Sequence, residues 1–467
     1  MTCLNHASLA ASLAALTVAA GAAAASKPKS PAGKRPAVIV IMTDQQTAGA
    51  ISCAGNPWVR TPAMDALAAD GVRFTRAYCP YPLSGPCRAA LVTGRMPFEV
   101  GAFDNAIRPA DADMQAGIGH RLAEAGYECL YAGKWHVPEV NLPDSGTGFR
   151  RISKMNDPAL ADACDAALKE YDGQKPLFLV ASLLNPHEIC EYGRHETLQY
   201  GELAPFSTEE CPNLPANFMP STYAAEALTL EHASSPRYHD TYTYTQDDWR
   251  RYLYAYYRLV ERADREVGRI VGVLKAHGLY DDAAIVFLSD HGDGAAAHGW
   301  NQKWNLQEEV INVPLIVKPP KGAGLRGVRN DEALSNVGLD LYATVCDYAG
   351  VTPDLERYRG RSLRPVAEGR QATLHDEVFV ETLLPGPDMR GWSVVGPRYK
   401  YVLYQWGRNR EALYDLQDDP GEMVNLAVDR RYEAELNRLR RAMYDWGVRI
   451  GDPKLVRNLR PFAETRN

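Results

Sequence analysis

The chain has 467 residues, 46% of them hydrophobic and 23% charged, which is enough to bury a large globular core. Its formal net charge of −7 gives no overall attraction to nucleic acids or to anionic membrane surfaces, so neither is expected as a partner. A site for an anion must therefore come from a local group of Arg, Lys and His side chains.

The N-terminal segment has the composition of an export signal. Residues 1–25 contain no Asp, Glu, Lys or Arg and end in alanines, just before a polar SKPKS stretch. We predict a signal peptide over residues 1–25 and a linker over residues 26–36, and hence export to the periplasm or the medium. An unprocessed Ala-rich tail is the alternative. No later apolar run in the sequence reaches the length that a membrane span needs.

The first predicted element after the linker is a buried parallel strand. AVIVIMTDQQ is an apolar, β-branched run that ends in polar residues, which is typical of a strand that delivers Asp44 to its carboxyl edge. TPAMDALAADG then predicts a helix, with Thr61 as N-cap, Pro62 in the first turn and Gly71 at its end. Further strands are predicted in YECLYAG, PLFLVASLL, AAIVFLSD and VPLIVKPP, and a long amphipathic helix over residues 247–278.

Strands that alternate with helices predict an α/β fold. We assign residues 37–368 to a catalytic α/β domain, with a large, mostly parallel sheet flanked by helices. After about residue 370, EVFVETL, WSVVGP and YKYVLYQW alternate with period two, and DRRYEAELNRLRRAMYDWGV has helical periodicity. Residues 369–467 are therefore predicted to form a C-terminal α+β subdomain, with a smaller antiparallel sheet and a packed helix.

The cysteines give no metal-binding pattern. None of the eight that follow Cys3 has CxxC spacing, so zinc knuckles are not expected. The sequence leaves open whether these eight are paired in disulfides or are buried free thiols.

Two predicted strands end in an acid that is followed by another potential metal ligand. Asp44 is followed by Gln45, and Asp290 is followed by His291. Because parallel strands present their carboxyl ends at one edge of a sheet, these four side chains are candidate ligands of one divalent cation. Each Asp alone is equally consistent with capping the turn that follows it.

Four basic side chains are candidates for holding an oxyanion. Lys134 and His136 end a strand in AGKWH, His187 follows another strand in NPHE, and Lys303 lies in NQKWNLQEEV. Lys and His residues at a carboxyl edge of a sheet can converge on one cleft. Taken singly, each is as consistent with a turn or a surface position.

The stretch SGPCRAALVTGR, residues 84–95, predicts a turn into a short helix with Ser84 near its amino end. Backbone N–H groups favour an anion at that end, and Arg88 can reach back to the same point. A plain N-capping serine is the alternative.

This stretch resembles the signature of the type I, formylglycine-dependent sulfatases of the alkaline phosphatase superfamily. That signature has Cys or Ser, any residue, Pro, a small residue and Arg, and closes with Thr-Gly. Ser84, Pro86 and Arg88 fit it, while Cys87 stands where Ser or Ala is usual. The resemblance continues in the family's order through IMTDQQ, TPAMDALAADGVRFTRAYC, AGKWH, NPHE, FLSDHGD, KWNLQEEVINVPLIV and ALYDLQDDPGEMVNLA.

The resemblance implies that Ser84 is converted to formylglycine. Its hydrate would attack sulfur with one oxygen and use the other to expel sulfate. A serine here resembles the type that is matured by an anaerobic sulfatase-maturating radical enzyme, which would be a transient partner in a bacterium able to live without oxygen.

The resemblance also implies a role for each of the other candidates. One calcium ion (Ca2+) would be bound by Asp44, Gln45, Asp290 and His291, although Gln45 stands where the family often has Asp. Arg88 would stabilise the hydrate. Lys134, His187 and Lys303 would neutralise the sulfate, His136 would accept a proton from the hydrate, and either His187 or Lys303 would protonate the leaving oxygen.

Two other functions stay open at this point. One is a phosphodiesterase or phosphonate monoester hydrolase of the same superfamily, and the other is an inactive glycan-binding protein. Residues 188–249 are rich in Tyr, His, Arg and acids and are the least family-like part, so we expect them to form much of the pocket rim. A solvated loop is equally consistent with their composition. The expected substrate is a sulfated carbohydrate such as a mucin or glycosaminoglycan saccharide, with aryl or choline sulfates as alternatives.

Overall fold

The computed structural model describes residues 35–107, 109–137, 146–234, 241–353 and 357–464. The predicted signal peptide and most of the linker lie outside the described residues. The strands are β1 Val38–Asp44, β2 Val72–Phe74, β3 Ala77–Tyr78, β4 Glu128–Gly133, β5 Arg150–Arg151, β6 Leu177–Pro186, β7 Ala284–Ser289, β8 Leu315–Lys318, β9 Val328–Asn330, β10 Ser335–Asn336, β11 Val378–Leu384, β12 Met389–Val395, β13 Tyr399–Tyr404 and β14 Glu411–Asp415.

The α-helices cover the faces of these strands or connect them. They are α1 Pro62–Ala69, α2 Ser84–Thr93, α3 Pro97–Val100, α4 Asp111–Gln115, α5 Ile118–Glu124, α6 Asp157–Glu170, α7 Ile189–Gly193, α8 Glu226–Ser234, α9 Gln246–Ala276, α10 Glu308–Ile311, α11 Val337–Ala349, α12 Arg364–Ala367, α13 Glu433–Ile450 and α14 Pro453–Glu464. Helix α2 begins at Ser84 itself, earlier than the turn at residues 84–86 predicted from the sequence. Helix α1 begins at Pro62 as expected, but Thr61 makes no side-chain capping bond; its hydroxyl oxygen accepts from the Ser52 N–H instead.

A large sheet forms the centre of the fold, in the order β5-β4-β6-β1-β7-β8-β2-β9. β1 pairs in parallel with both β6 and β7, and β6 pairs in parallel with β4. β8 is antiparallel to β7 and to β2, so the sheet is mixed at one side. The predicted α/β class, with a large, mostly parallel sheet flanked by helices, is confirmed.

Alternation along β1 creates a core on each face of this sheet. Val38 and Val40 pack in one cluster with residues of α2, α5 and α11, whereas Ile39 and Ile41 pack in another with residues of α1, α6 and α9. Both faces of a mostly parallel sheet are buried, which explains why the strand sequences are almost continuously apolar.

The predicted smaller antiparallel sheet is also confirmed, as the meander β11-β12-β13-β14. Trp392 and Leu403 on this sheet pack against Leu436 and Met443 of α13. The boundary predicted between residues 368 and 369 falls between α12 and β11 and stays a prediction. The eight cysteines after Cys3 are free thiols, which answers the question that the sequence left open.

Candidate active site

The four central strands bring their carboxyl ends to one place. β4, β6, β1 and β7 are adjacent and parallel, so the residues at their ends are neighbours. Asp44 ends β1, while Lys134, His187 and Asp290 follow the other three strands. The carboxyl edge of parallel strands is where α/β proteins bind ligands.

Gly133 permits the close approach that places Lys134 there. Its φ is +90°, and a Cβ atom at this position would lie 2.0 Å from the carbonyl oxygen of Ser182 on β6. The next residue, Lys134, donates its backbone N–H to that same oxygen at 2.9 Å. Glycine is therefore needed for the chain to leave β4 toward the other strand ends.

Two carboxylates and an imidazole form a buried cluster at this edge. Ligand atoms of Asp44, Asp290 and His291 lie within 4.8 Å of one another, and all three side chains are buried. Burial tends to raise the pKa of Asp44, but Lys134 and Arg88 hold it well below its usual range. Burial, together with the charge of Asp44, raises the pKa of Asp290 to about 7.

The chemistry of this cluster fits a divalent cation. Burial and the charge of Lys303 lower the pKa of His291 to about 3, so its imidazole is neutral and has a lone pair to offer. Arg88 contacts both acids and Lys134 contacts Asp44, yet burial and the repulsion between the two carboxylates still raise the pKa of Asp290. A divalent cation between them would offset that repulsion, and oxygen donors with one imidazole are acceptable ligands for it.

Ser84 lies directly against this cluster. Its Oγ is 3.0 Å from Nε2 of His291 and donates to Oδ1 of Asp44 at 3.4 Å. The residue is fully buried at the start of α2, and the next N–H, that of Gly85, donates to Oδ1 of Asn105 at 2.9 Å. An oxygen on residue 84 is thus held beside a potential metal ion and at a helix end that favours negative charge.

Arg88 joins the two acids from the next turn of α2. Its Nε donates to Asp290 and one terminal nitrogen donates to Asp44, both at 2.8 Å. The other terminal nitrogen donates to Oγ of Ser182 at 2.8 Å and to the carbonyl of Lys134 at 2.7 Å. Arg88 had been expected to reach back toward Ser84, but in the described part of the chain its hydrogen bonds go to the two acids, to Ser182 and to the Lys134 carbonyl. It fixes the orientation of the two acids.

The two lysines approach the cluster from different elements. Lys134 Nζ lies 2.7 Å from Oδ2 of Asp44, and Lys303 Nζ donates to Oε1 of Gln45 at 2.8 Å. The same Gln45 oxygen also accepts from Sγ of Cys190, at 3.5 Å. Nε2 of Gln45 donates to Oδ2 of Asp293 at 2.7 Å, so this buried acid sets which end of the amide faces Lys303. Asp293 was not among the predicted site residues, although it lies two residues after His291 in SDHGD.

Two further histidines lie in the same electrostatic environment. Burial, then Lys303 and Lys134, lower the pKa of His187 well below its usual value. Burial and Lys134 lower the pKa of His136 to about 3. Among the described residues, neither Nδ1 atom has a hydrogen-bond partner. Both imidazoles are therefore neutral, and each has a polar atom available for a ligand.

A cavity of about 270 Å³ opens beside these groups. It is lined by Asp104, Asn105, His187, Cys190, Arg194, Gln302, Lys303 and Trp304. Cys190 and Arg194 belong to the segment 188–249 that was expected to form the rim, although residues 235–240 of that segment lie outside the described residues. Asp104 and Asn105 were not predicted, because they lie in an irregular stretch without periodicity. A cavity bounded by a lysine and a neutral histidine is suited to an anionic group.

Comparison with known proteins decides the family. Residues 36–351 match the family profile described as Sulfatase, and residues 296–448 match that of the N-sulphoglucosamine sulphohydrolase C-terminal region. The chain belongs to the sulfatase family. The family resemblance inferred from the sequence is confirmed, and the protein is a sulfuric ester hydrolase.

Relatives of this sulfatase match it over nearly their full length. A delta 4,5-hexuronate-2-O-sulfatase of Bacteroides thetaiotaomicron is 29% identical, over 93% of each chain. A solved structure described as a 2-O GAG sulfatase is 28% identical, with a TM-score of 0.79, and the match covers 90% of this chain and 93% of that one. A phosphonate monoester hydrolase from Silicibacter pomeroyi has a TM-score of 0.72 at 21% identity, covering 90% of this chain and 96% of that one. This last likeness shows a shared fold alone.

The structure of the sulfatase brings the predicted site residues to one edge of the sheet. Direct contacts link seven of them, which are Asp44, Gln45, Ser84, Arg88, Lys134, Asp290 and His291. Lys303 joins through Gln45, and it lines the cavity together with His187. His136 lies beside the helix start, because its carbonyl oxygen is 3.5 Å from the point where a Cβ of Gly85 would be. The individual catalytic roles stay predictions.

Proposed function

We propose that this sulfatase is exported and hydrolyses sulfate esters of glycans, using a formylglycine made from Ser84 and a bound calcium ion. The observation that carries the proposal is the position of Ser84. Its hydroxyl lies between His291 and Asp44 at the start of α2. Two basic residues of the same site, His187 and Lys303, line the open cavity.

Calcium is the ion that we assign to the cluster. Asp44, Asp290 and Gln45 offer oxygen ligands, which calcium prefers, and His291 offers a nitrogen. When bound, the ion would polarise an oxygen of the sulfate and an oxygen on residue 84. The two carboxylates alone balance its charge, and Lys134 and Arg88 keep Asp44 ionised for that purpose.

Residue 84 is well placed for the modification. A formylglycine hydrate there would supply two oxygens. One would attack sulfur as the ester S–O bond breaks, and the other would lose its proton and re-form the aldehyde as the C–O bond to sulfate breaks. The chain's own groups would orient the hydrate: Arg88 holds Asp44 and Asp290 on either side, and the Asp44 carboxylate already accepts from the residue 84 hydroxyl. His136 is neutral and near the helix start, so it can accept the proton that is released as sulfate leaves. The anaerobic radical enzyme is the maturation partner that a serine at this position favours.

The sulfate group itself would be held by Lys134, Lys303 and His187. Lysine ammonium groups form strong, charge-assisted hydrogen bonds with anionic oxygens. An incoming sulfate would also raise the pKa of His187, since the opposing effect of Lys303 and Lys134 would be offset by a nearby negative charge.

A glycan is the substrate that the rim supports. Asp104, Asn105 and Arg194 offer hydrogen-bond partners for hydroxyl or carboxylate groups, and Trp304 offers an aromatic ring. The hexuronate and glycosaminoglycan activities named for the two relatives favour an anionic saccharide, and Arg194 gives it a cation. A mucin saccharide is the second candidate of this class.

Export rests on the N-terminal sequence. Across the described parts of the chain, no helix has both the length and the apolar character that crossing a bilayer requires. The Ala-rich residues 1–25 are the export signal that we propose, and N-terminal sequencing of protein from the native host tests the cleavage.

Mass spectrometry of the tryptic peptide of residues 77–88 tests the central claim. Protein from the native host should give a peptide that has lost two hydrogen atoms at Ser84. Active protein with an unmodified serine would contradict the proposal. Comparing the release of sulfate with that of phosphate or phosphonate then distinguishes a sulfatase from a phosphodiesterase or phosphonate monoester hydrolase. A protein that hydrolyses none of these esters but still binds saccharides would be a glycan-binding protein.

A metal assay tests the calcium assignment. Treatment with a chelator should abolish sulfate release, and added Ca2+ should restore it and raise the melting temperature, because ligands that bind only the folded state stabilise it. Full activity in metal-free protein would contradict the assignment. Asp290→Asn protein serves as the control, since it should show neither recovery nor stabilisation at the same Ca2+ concentration.

A further inference from the structure

A second group of potential metal ligands lies in this chain, formed by residues other than those of the active site. Ligand atoms of His298, Glu309 and Glu422 are within 4.8 Å of one another. They come from three segments: a turn after β7, helix α10, and the loop that follows β14. We propose that these three side chains bind a second divalent metal ion, of the zinc type.

His298 is the observation that distinguishes this cluster from a plain group of acids. Its side chain is only 7% exposed, and neither ring nitrogen has a hydrogen-bond partner among the described residues. A metal ion binds an imidazole through a ring nitrogen that carries no proton, and this buried ring has a nitrogen to offer.

The charges around His298 are not balanced by the protein alone. Lys400 Nζ lies 3.0 Å from Oε1 of Glu308 and 2.6 Å from Oε1 of Glu422, so one ammonium serves two carboxylates. Glu309 accepts from the amide of Asn217 through Oε1, at 2.7 Å, while its Oε2 is buried without a hydrogen bond in the described structure. A dication would neutralise the remaining two negative charges.

The donor set favours zinc over calcium. Calcium takes six to eight oxygen ligands, whereas zinc binds imidazole nitrogen and carboxylate oxygen in four-coordinate sites. One imidazole and two carboxylates supply three such ligands. A water molecule would complete the set. The cluster of Asp44, Asp290 and His291 has the same three kinds of donor, and the Gln45 amide is the additional oxygen that favours calcium there.

The position of the cluster gives the ion a structural role. His298 and Glu309 bracket the short segment that carries Lys303, and Glu422 lies in the C-terminal region. An ion bound by all three would fix both ends of that segment and join it to the loop after β14. Loss of the ion should therefore loosen Lys303 without removing any group that touches the sulfate.

Metal analysis of the full-length protein tests this proposal. After equilibration with Ca2+ and Zn2+ followed by desalting, the wild type should retain about one zinc per chain. His298→Gln and Glu309→Gln should lose it. His277→Gln is the matched control, because His277 pairs with Asp165 elsewhere in the chain, and it should keep the zinc. Wild-type protein that retains no zinc, or variants that retain it in full, would overturn the proposal.

Cobalt substitution gives a result that does not depend on whether the variants fold. Calcium-loaded wild-type protein titrated with Co2+ should develop the visible absorption of a four-coordinate cobalt site, and Zn2+ should abolish it while further Ca2+ should not. Absorption that is absent, or that Ca2+ removes, would mean that these residues form only a hydrogen-bonded network. Because the readouts are metal content and absorption, they stay informative even if the formylglycine proposal fails.

Discussion

The buried floor of the active site and the rim of the cavity beside it are built differently. The floor consists of Asp44, Ser84, Arg88, Asp290 and His291, which are all buried and hydrogen-bonded to one another. The rim consists of Asp104, Asn105 and Arg194, which are partly or fully exposed and lie on loops or beside a short helix. The side chains of the floor are therefore held in place before a substrate binds, whereas side chains of the rim can be substituted without moving those of the floor.

Because of this difference, we expect the floor to determine the rate of the reaction and the rim to determine which substrates bind. Preorganised groups in a buried site can stabilise developing charge without reorganising, which is how most of the rate enhancement arises. Exposed side chains on loops contribute binding energy that depends on the saccharide. Changes in the floor should consequently affect every sulfate ester alike, and changes in the rim should affect some substrates only.

The largest effect is expected from Ser84→Ala. Loss of the residue that becomes the nucleophile should lower kcat by about 10⁶-fold on aryl and sugar sulfates equally, as loss of a covalent nucleophile does elsewhere. The measurement is sulfate release, with melting temperature as the control for folding. Residual activity above about one per cent of wild type, free of contaminating enzyme, would place the nucleophile elsewhere.

Lys303→Met should separate the two candidates for the general acid. Burial and two lysines lower the pKa of His187 well below its usual value, so we expect the Lys303 ammonium to protonate the leaving oxygen. General acid catalysis contributes about 10²–10⁴-fold, and kcat on a sugar sulfate should fall by that amount. An aryl sulfate with an acidic phenol needs little protonation and should lose at least tenfold less. If His187→Gln shows the differential loss instead, His187 is the acid.

Substitution of Arg88 should show how much stability and activity depend on the one guanidinium that contacts both acids of the floor. Arg88→Met leaves Asp290 buried without its ion-pair partner and leaves Asp44 with Lys134 alone, which should cost about 3–5 kcal/mol of unfolding free energy. Arg88→Lys keeps the charge but cannot bridge both acids, so it should retain more stability while kcat still falls by about 10²–10³-fold. Chemical denaturation and sulfate release measure the two effects. Equal stability of both variants would contradict the importance of the bridge.

The sequence predicted most of the floor and little of the rim, for a physical reason. Apolar runs such as AVIVIMTD and AAIVFLSD identify strands, and parallel strands bring their end residues together whatever their order in the sheet. That rule placed Asp44, Asp290 and Lys134 correctly at one edge. Asp104 and Asn105 come from an irregular stretch whose path depends on tertiary packing, so no periodic pattern could place them at the cavity.

Contacts between distant residues were also beyond the reach of sequence patterns. Arg88 was expected to support Ser84, but it bonds to acids 44 and 202 residues away in the chain, which only packing of α2 on the sheet decides. The direction of β8 was equally undetermined, because VPLIVKPP identifies a strand without saying how the chain returns to the sheet. In both cases the sequence pattern predicted the helix or strand itself, but not its contacts with residues far away in the chain.

The smallest effect is expected at the rim, from Arg194→Ala. Arg194 lines the cavity and is held on the surface by Glu191 and Glu196, so its loss should leave the floor unchanged. A carboxylate-bearing saccharide sulfate should show a KM raised by about tenfold, the equivalent of 1.4 kcal/mol, with kcat unaltered. A neutral aryl sulfate should show no change, and Arg194→Lys should recover part of the loss because a cation remains. A tenfold fall in kcat on the aryl ester would show that the rim and the floor are coupled, and the division between them would then be wrong.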